Sequence, residues 1–131
     1  MSLHLQLVTP ERKVLEVACD EVELPGEIGH FGVLPGHTAL IALLKIGEAS
    51  YRIGKNASFV ALGAGFAEVS NDSVTVLCDF AQLPAEIDLP AEQREQAQAQ
   101  EEMKTVGVDT FDAVNERLEA ATARVQVVSR R

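Results

Sequence analysis

Aromatic residues are scarce in this sequence, which has no tryptophan, one tyrosine and five phenylalanines, or 5% of its 131 residues. Hydrophobic residues still make up 47% of the chain, which is enough for a packed core. We therefore expect a core that is mostly aliphatic. The length fits one domain, or one domain with an appendage, and excludes a large catalytic architecture.

Cysteines and long apolar runs are also rare. Cys19 and Cys78 lie far apart without C-x-x-C spacing, so we expect two small buried side chains in a reducing compartment. The longest wholly apolar run, 39–44, is far below the ~18 residues that a spanning helix needs. Residues 1–7 alternate between polar and apolar, unlike a signal peptide. The sequence therefore predicts neither export nor direct membrane insertion.

Basic residues are outnumbered, since eleven Lys and Arg face twenty Asp and Glu for a formal charge of −9. Such a chain is repelled by phosphate backbones and by anionic lipid surfaces. We therefore expect no nucleic-acid partner.

Short alternating segments occupy residues 2 to about 80 and indicate β-strands. Turn signals separate them at 25–26, 54–56 and 70–72, where Gly, Asn and Asp tolerate positive φ. Many short strands joined by tight turns favour a sandwich over a parallel sheet. Besides the apolar alternations at 3–7 and 22–24, the predicted strands are 31–34, 38–44, 49–53, 58–62, 66–69 and 73–78.

The composition changes after residue 84 to Ala, Glu and Gln, which predicts helix. Asp88 is the predicted N-cap of a first helix over 89–104, which has little apolar area to bury. A break at Gly107 and an N-cap at 109–110 lead to a second helix. We thus predict an antiparallel β-sandwich (1–84) followed by an antiparallel two-helix hairpin (85–131), whose first helix is the least stable element.

Apolar residues of the second helix recur at spacings of 3 and 4, which is typical of a packing seam. The seam could face the first helix, the sandwich or another chain. Arg117 and Arg124 share one face of this helix, which on its own is typical of a solvated surface. The predicted seam consists of Phe111, Val114, Leu118, Ala121, Val125 and Val128.

No catalytic motif is present. The glycines at 26, 29 and 32 lack the G-x-G-x-x-G order and the following helix of a dinucleotide site. Glu27, His30 and His37 match no standard metal-ligand spacing, and no G-x-S-x-G elbow appears. We expect no metal and no catalytic residue. The glycines instead predict a tight loop that presents Glu27, His30 and Phe31 for protein contact.

The run LPGEIGHFGVLPGH at 24–37, with LGAGFAEV at 62–69 and VTVL at 74–77, resembles the epsilon subunit of F-type rotary ATP synthases. The similarity spans nearly the whole chain. It implies a noncatalytic subunit of the central stalk that couples proton translocation to ATP synthesis. In that family the sandwich binds the gamma subunit and rests on the ring of c subunits.

By position, the resemblance implies that Glu27, His30 and Phe31 meet the c ring and that His37 lies toward gamma. His30 stands where relatives often have an acidic residue. The hairpin of the family can extend into the catalytic alpha and beta subunits and inhibit ATP hydrolysis. The residues implied for that contact are Arg117, Arg124, Arg130 and Arg131.

Some relatives bind ATP at the hairpin through an Ile/Leu-Asp-x-x-Arg-Ala motif. Ile87 and Asp88 match it, but Ala91 and Glu92 stand at the Arg and Ala positions. Arg94 could replace the missing cation only after a local shift, so the sequence favours no ATP binding and no required cofactor.

Two other functions stay open, a nucleotide-sensing regulatory module and a small enzyme on a sandwich scaffold. Only the rotor-stalk subunit accounts for both halves of the chain. The expected location is peripheral, on the cytoplasmic face of a bacterial plasma (inner) membrane.

Overall fold

Ten β-strands occupy the first two thirds of the chain, and two α-helices follow them. The computed structural model describes residues 2–130. The strands are β1 (Leu3–Val8), β2 (Lys13–Cys19), β3 (Glu21–Gly26), β4 (Gly29–Val33), β5 (Leu40–Leu44), β6 (Gly47–Ile53), β7 (Asn56–Leu62), β8 (Gly65–Ser70), β9 (Ser73–Cys78) and β10 (Ala81–Gln82). A 3-10 turn at Pro84–Glu86 leads to α1 (Leu89–Met103) and α2 (Phe111–Ser129). The predicted fold class is confirmed.

The strands pair in the order β10-β7-β6-β3-β5-β8-β9-β1-β2, and β4 pairs with β3. Every described pair is antiparallel except β1 with β9, which is parallel. The sheet folds over on itself, so that β2 lies against β6 across the core. Strand β2 was not predicted, because its apolar residues do not follow a clean alternation.

The sandwich core is aliphatic, as the composition predicted. Alternate residues of β1 and β9 point inward, because successive strand side chains face opposite sides. Both cysteines belong to this core, and burial raises the pKa of the Cys78 thiol to about 11. The largest fully buried side chains of the sandwich are Leu3, Leu5, Leu7, Leu24, Leu62, Val22, Val33, Val60, Val69, Val74 and Val76.

The hairpin turns predicted at 54–56 and 70–72 are confirmed, but the break predicted at 25–26 is wrong, because these residues end β3 and the turn follows at 27–28. Gly54 has φ +60°, while Asn71 and Asp72 have φ of 51° and 60°, the left-handed values that two-residue hairpin loops require. Several strand boundaries move outward from their predicted positions, and β4 begins at Gly29 instead of residue 31. Strand β5 instead begins later than predicted, at Leu40 and not at residue 38. Glycine has weak strand propensity, so the local sequence at Gly29 favours a loop.

Helix α1 begins as the sequence predicted. Asp88 is its N-cap, and the Asp88 Oδ1 atom accepts a hydrogen bond from the backbone N–H of Ala91 at 3.2 Å. Ala99 is its one fully buried residue, in keeping with a weakly apolar first helix. The helix packs chiefly against α2.

Replacing Asp88 with Ala should destabilise α1 locally by about 1 kcal/mol, because an N-cap acceptor satisfies an otherwise free helical N–H. Hydrogen exchange of the α1 amides should accelerate, while exchange of the sandwich amides stays unchanged. Asp88→Asn retains a capping oxygen and is the matched control. Equal exchange in Asp88→Ala and the wild-type chain would contradict the role of this cap.

Helix α2 buries a wider arc than the predicted seam. Val114 and Ala121 of the seam are buried, but Phe111 is 44% exposed, and Val127 is fully buried instead of its neighbour Val128. Because α2 contacts both α1 and strands β6 and β7, two faces of the helix are covered. The predicted seam, which would contact a single partner, therefore contains too few of the residues that α2 buries. Small residues at 120 and 123 let the helix approach the sheet closely.

Candidate partner-binding surfaces

The turn between β3 and β4 carries the loop that the sequence singled out. Glu27, Ile28 and His30 are exposed at its tip. Phe31 differs from the expectation, since it lies opposite Leu24 in the strand pair and packs on the core while half-buried. Alternation along β4 turns His30 outward and Phe31 inward. Ile28, which the sequence analysis did not select, is the fully exposed apolar residue of the loop.

This turn lies alongside β5 and forms a groove with it. The backbone N–H of Glu27 donates to the Leu43 carbonyl at 2.9 Å, and the N–H of Lys45 donates to the Pro25 carbonyl at 2.9 Å. The groove has a volume of about 610 Å³ and is lined by residues 26–31 and 40–43. The predicted loop is thus continuous with the outer surface of β5.

An apolar row crosses the outer face of four strands. Leu43 lies opposite Phe66, Phe66 opposite Leu77, and Leu77 opposite Val8. Leu43 is 64% exposed and Phe66 is 42% exposed, and Ile41 extends the row along β5. We call Ile41, Leu43, Phe66 and Leu77 the outer apolar patch. Sequence reasoning missed it, although the uninterrupted apolar run at 39–44, with no polar residue on either face, is the signal that could have shown it.

His37 lies in the loop before β5. Its Nδ1 atom is 2.7 Å from the Thr38 carbonyl oxygen, and since a carbonyl only accepts, Nδ1 carries the hydrogen and Nε2 is left for other contacts. The loop is held by Asp72, whose Oδ1 accepts from the Gly36 N–H at 2.7 Å. His37 and the β3–β4 turn therefore lie at separate places beside β5, and the two histidines do not share one cavity.

Two glycines of the LGAGF segment are required by close approaches. A Cβ atom on Gly65 would lie 2.0 Å from the Leu77 carbonyl oxygen, and one on Gly63 would lie 2.6 Å from the ring of Phe80. Gly65 brings β8 against β9 next to Phe66. Gly63 lets the Phe80 ring pack closely against the sandwich, where it contacts α2.

The arginines of α2 are paired within the chain. Arg117 contacts Glu95 at 2.6 Å and Glu102 at 2.8 Å, both on α1. The hydrogen bond from Arg117 lowers the pKa of Glu102, and the same carboxylates raise the pKa of Arg117. The interpretation of this face as simply solvated is therefore wrong, because α1 covers it with acidic side chains.

Arg124 and Arg130 connect α2 to the sandwich. The Arg124 guanidinium lies 4.3 Å from the centre of the Phe80 ring, donates to Gln82 and lies 3.3 Å from Glu92 of α1. Arg130 lies 5.3 Å from the Phe59 ring centre. Arg131, the fourth predicted arginine, is outside the described residues.

The residues of the candidate ATP motif have structural contacts here. Asp88 caps α1, Ile87 packs against the small cluster between α2 and the sandwich, and Glu92 pairs with Arg124. Arg94 is exposed on α1.

Residues 2–130 contain no group of three or more His, Cys, Asp or Glu side chains placed to hold a metal ion. Within the same residues, no helix has the length and apolar character to cross a membrane.

Comparison with known proteins shows the class of protein to which the chain belongs. Residues 2–84 match the family described as ATP synthase, Delta/Epsilon chain, beta-sandwich domain. Nearly the whole chain matches curated proteins named ATP synthase epsilon chain. That of Geotalea daltonii is 42% identical over 130 residues, and that of Geobacter sp. (strain M21) is 41% identical; each alignment covers 98% of this chain and 94% of the relative. The chain therefore belongs to the family of ATP synthase epsilon chains, which confirms the resemblance seen in residues 24–37.

Solved structures support the same fold. A chain in the structure of Euglena gracilis mitochondrial ATP synthase, titled OSCP/F1/c-ring in rotational state 1, superposes with a TM-score of 0.83 at 18% identity, covering 98% of this chain and 81% of that one. A chain of the Tetrahymena thermophila mitochondrial ATP synthase central stalk/c-ring gives a TM-score of 0.67 at 14% identity, covering 98% and 97%. At these identities the likeness shows the fold.

Proposed function

We propose that the chain is a noncatalytic central-stalk subunit that couples proton translocation to ATP synthesis and restrains ATP hydrolysis through its hairpin. Membership of the epsilon family supports the proposed role as a central-stalk subunit. The subunit would lie peripherally on the cytoplasmic face of a bacterial plasma membrane.

The outer apolar patch carries the proposal that the sandwich binds the gamma subunit. Leu43 and Phe66 are exposed large apolar side chains in a cross-strand pair, and exposed apolar patches on small domains mark interaction sites. Because His37 lies in the loop that leads into β5, the same contact would extend to it. Gamma would then cover the patch and the His37 loop together.

The tip of the β3–β4 turn supports the proposed contact with the c ring. Glu27 and His30 offer polar groups and Ile28 offers an apolar side chain, a mixture that suits a small polar interface. Phe31 would support this contact from behind, because it packs on the core and fixes the course of β4.

The proposed inhibition depends on release of the hairpin. Arg124 and Arg130 contact Gln82 and Glu48 of the sandwich when the hairpin is docked, so they reach the catalytic alpha and beta subunits only after undocking. Arg117 pairs with Glu95 of α1, so it becomes available only when the two helices also separate. Arg131 would act with them. The balance between two placements is set by a free-energy difference of a few kcal/mol.

Removing the hairpin tests this function. A cognate catalytic complex depleted of the subunit should bind both the full chain and a chain ending at Leu83, since the sandwich core lies before that residue. Only the full chain should lower the rate of ATP hydrolysis, by about tenfold if the extended form dominates in the complex. Binding must be measured for both chains. Equal rates with both chains bound would reject an inhibitory hairpin.

We propose that no cofactor is required and that ATP does not bind at residues 87–94. The Asp88 carboxylate already caps α1 and Glu92 adds an acidic group beside it, so phosphate would meet repulsion where a cation is needed. Tight, Asp88-dependent ATP binding to the full chain would instead favour the nucleotide-sensing alternative.

A further inference from the structure

Helix α2 reaches the sandwich through few apolar side chains. The buried residues of this contact are Ala61, Ala123 and Val127, with Phe59, Phe80 and Ile87 partly buried around them. Two of the three central side chains are single methyl groups. Hydrophobic stabilisation scales with the apolar area removed from water. The contact between α2 and the sandwich therefore depends on polar interactions more than the sandwich core does.

One carboxylate of the sandwich, that of Glu48, takes part in the contact with α2. Glu48 lies opposite Ala61 in the β6–β7 pair, on the face that α2 covers. Its side chain is only 15% exposed. Arg130 Nε donates to both carboxylate oxygens, at 2.7 and 3.1 Å. Among residues 2–130, the sole ion pair of Glu48 is the one with Arg130.

The same arginine stacks on an aromatic ring of the sandwich. The Arg130 guanidinium lies 5.3 Å from the Phe59 ring centre, within the range of a cation–π contact. Arg130 follows the last residue of α2, so both contacts hold the end of the helix that is furthest along the chain from the connection to the sandwich.

We propose that Glu48 and Arg130 form a latch that sets the fraction of chains whose hairpin is docked, and thereby the fraction whose arginines can meet a partner. The consequence for ATP hydrolysis rests on the proposed function. The two residues differ in one respect. Arg130 makes contacts in both placements of the hairpin, with Glu48 when it is docked and with the catalytic subunits when it is extended, whereas Glu48 stabilises only the docked placement.

The first experiment measures docking in the isolated full chain. Glu48→Gln keeps the size of the side chain and removes its charge, and should speed hydrogen exchange of the amides at 120–123 about threefold, since exchange follows the open population. Arg130→Gln should have at least the same effect. Glu16→Gln is the matched control, because Glu16 is also paired with a cation, Lys13 at 2.8 Å, but on β2.

Amides at 120–123 lie at least two turns before Arg130, so faster exchange there reports loosening of the docked helix beyond its last turn. If only the last turn of α2 exchanges faster in the two variants, the contact stiffens the helix end and the latch is wrong. Unchanged exchange throughout α2, or the same acceleration in Glu16→Gln, would also overturn it.

The second experiment measures ATP hydrolysis by the cognate complex with each variant bound. Glu48→Gln should inhibit more strongly than the wild-type chain, because more hairpins are released with every arginine intact. Arg130→Gln should not, because it loses a cation proposed to meet the catalytic subunits. If docking loosens as expected but Glu48→Gln does not increase inhibition, the latch stands and the inhibitory part of the proposed function fails.

Discussion

Replacing Leu43 with Asp should weaken binding to the gamma subunit by about a hundredfold, since a charge would be buried at the centre of an apolar contact without a partner. The folded chain should tolerate the change, because the Leu43 side chain is 64% exposed and lies opposite Phe66 instead of another acid. Isothermal titration of each variant with a soluble form of gamma would measure the effect.

Ile53→Asp is the control for this substitution. Ile53 is also an exposed aliphatic residue at 46%, but it ends β6 at the turn to β7, away from the outer apolar patch. The affinity of the Ile53→Asp variant for gamma should stay within about twofold of the wild-type value. Equal affinities for the Leu43 and Ile53 variants would show that gamma does not cover the patch.

Replacing Gly65 with Ala should lower the free energy of unfolding by about 3 kcal/mol, through overpacking that the backbone must relieve. The added Cβ would lie 2.0 Å from the Leu77 carbonyl oxygen and 2.7 Å from the Cys78 Cα atom, so no side-chain rotation could make room. Strands β8 and β9 would have to separate beside Phe66. The midpoint of urea unfolding would record the loss.

Gly107→Ala provides the comparison, because nothing lies within 4 Å of a Cβ atom at that position. Its unfolding midpoint should correspond to a change within about 0.5 kcal/mol. Similar midpoints for the two variants would mean that the close approach of β8 and β9 adjusts without strain.

The fold could be predicted where local chemistry decides it. Alternation at 3–7 and the turn residues at 54–56 and 70–72 set strands and hairpins, and Asp88 with its acidic first turn sets the start of α1. These signals depend on neighbours in sequence. Strand β2 was missed because its residues other than Cys19 are at most partly buried, and its contact across the core is with β6, which lies elsewhere along the chain.

The candidate surfaces could be predicted only in part for the same reason. The glycine-rich loop was visible, since its residues adjoin one another, but the orientation of Phe31 follows from its pairing with Leu24. The outer apolar patch joins residues of β5, β8 and β9 through sheet register. The contact between Glu48 and Arg130 joins positions 82 residues apart, and no sequence pattern links them.

The antiparallel arrangement of α1 and α2 makes the hairpin much shorter than the two helices placed end to end. At about 1.5 Å per residue, the 15 residues of α1 and the 19 of α2 measure roughly 22 and 28 Å. Folded side by side they span little more than the longer helix, whereas end to end they would reach about 50 Å. Because α1 packs chiefly on α2, opening the connection at 104–110 would nearly double the distance over which one small subunit can act.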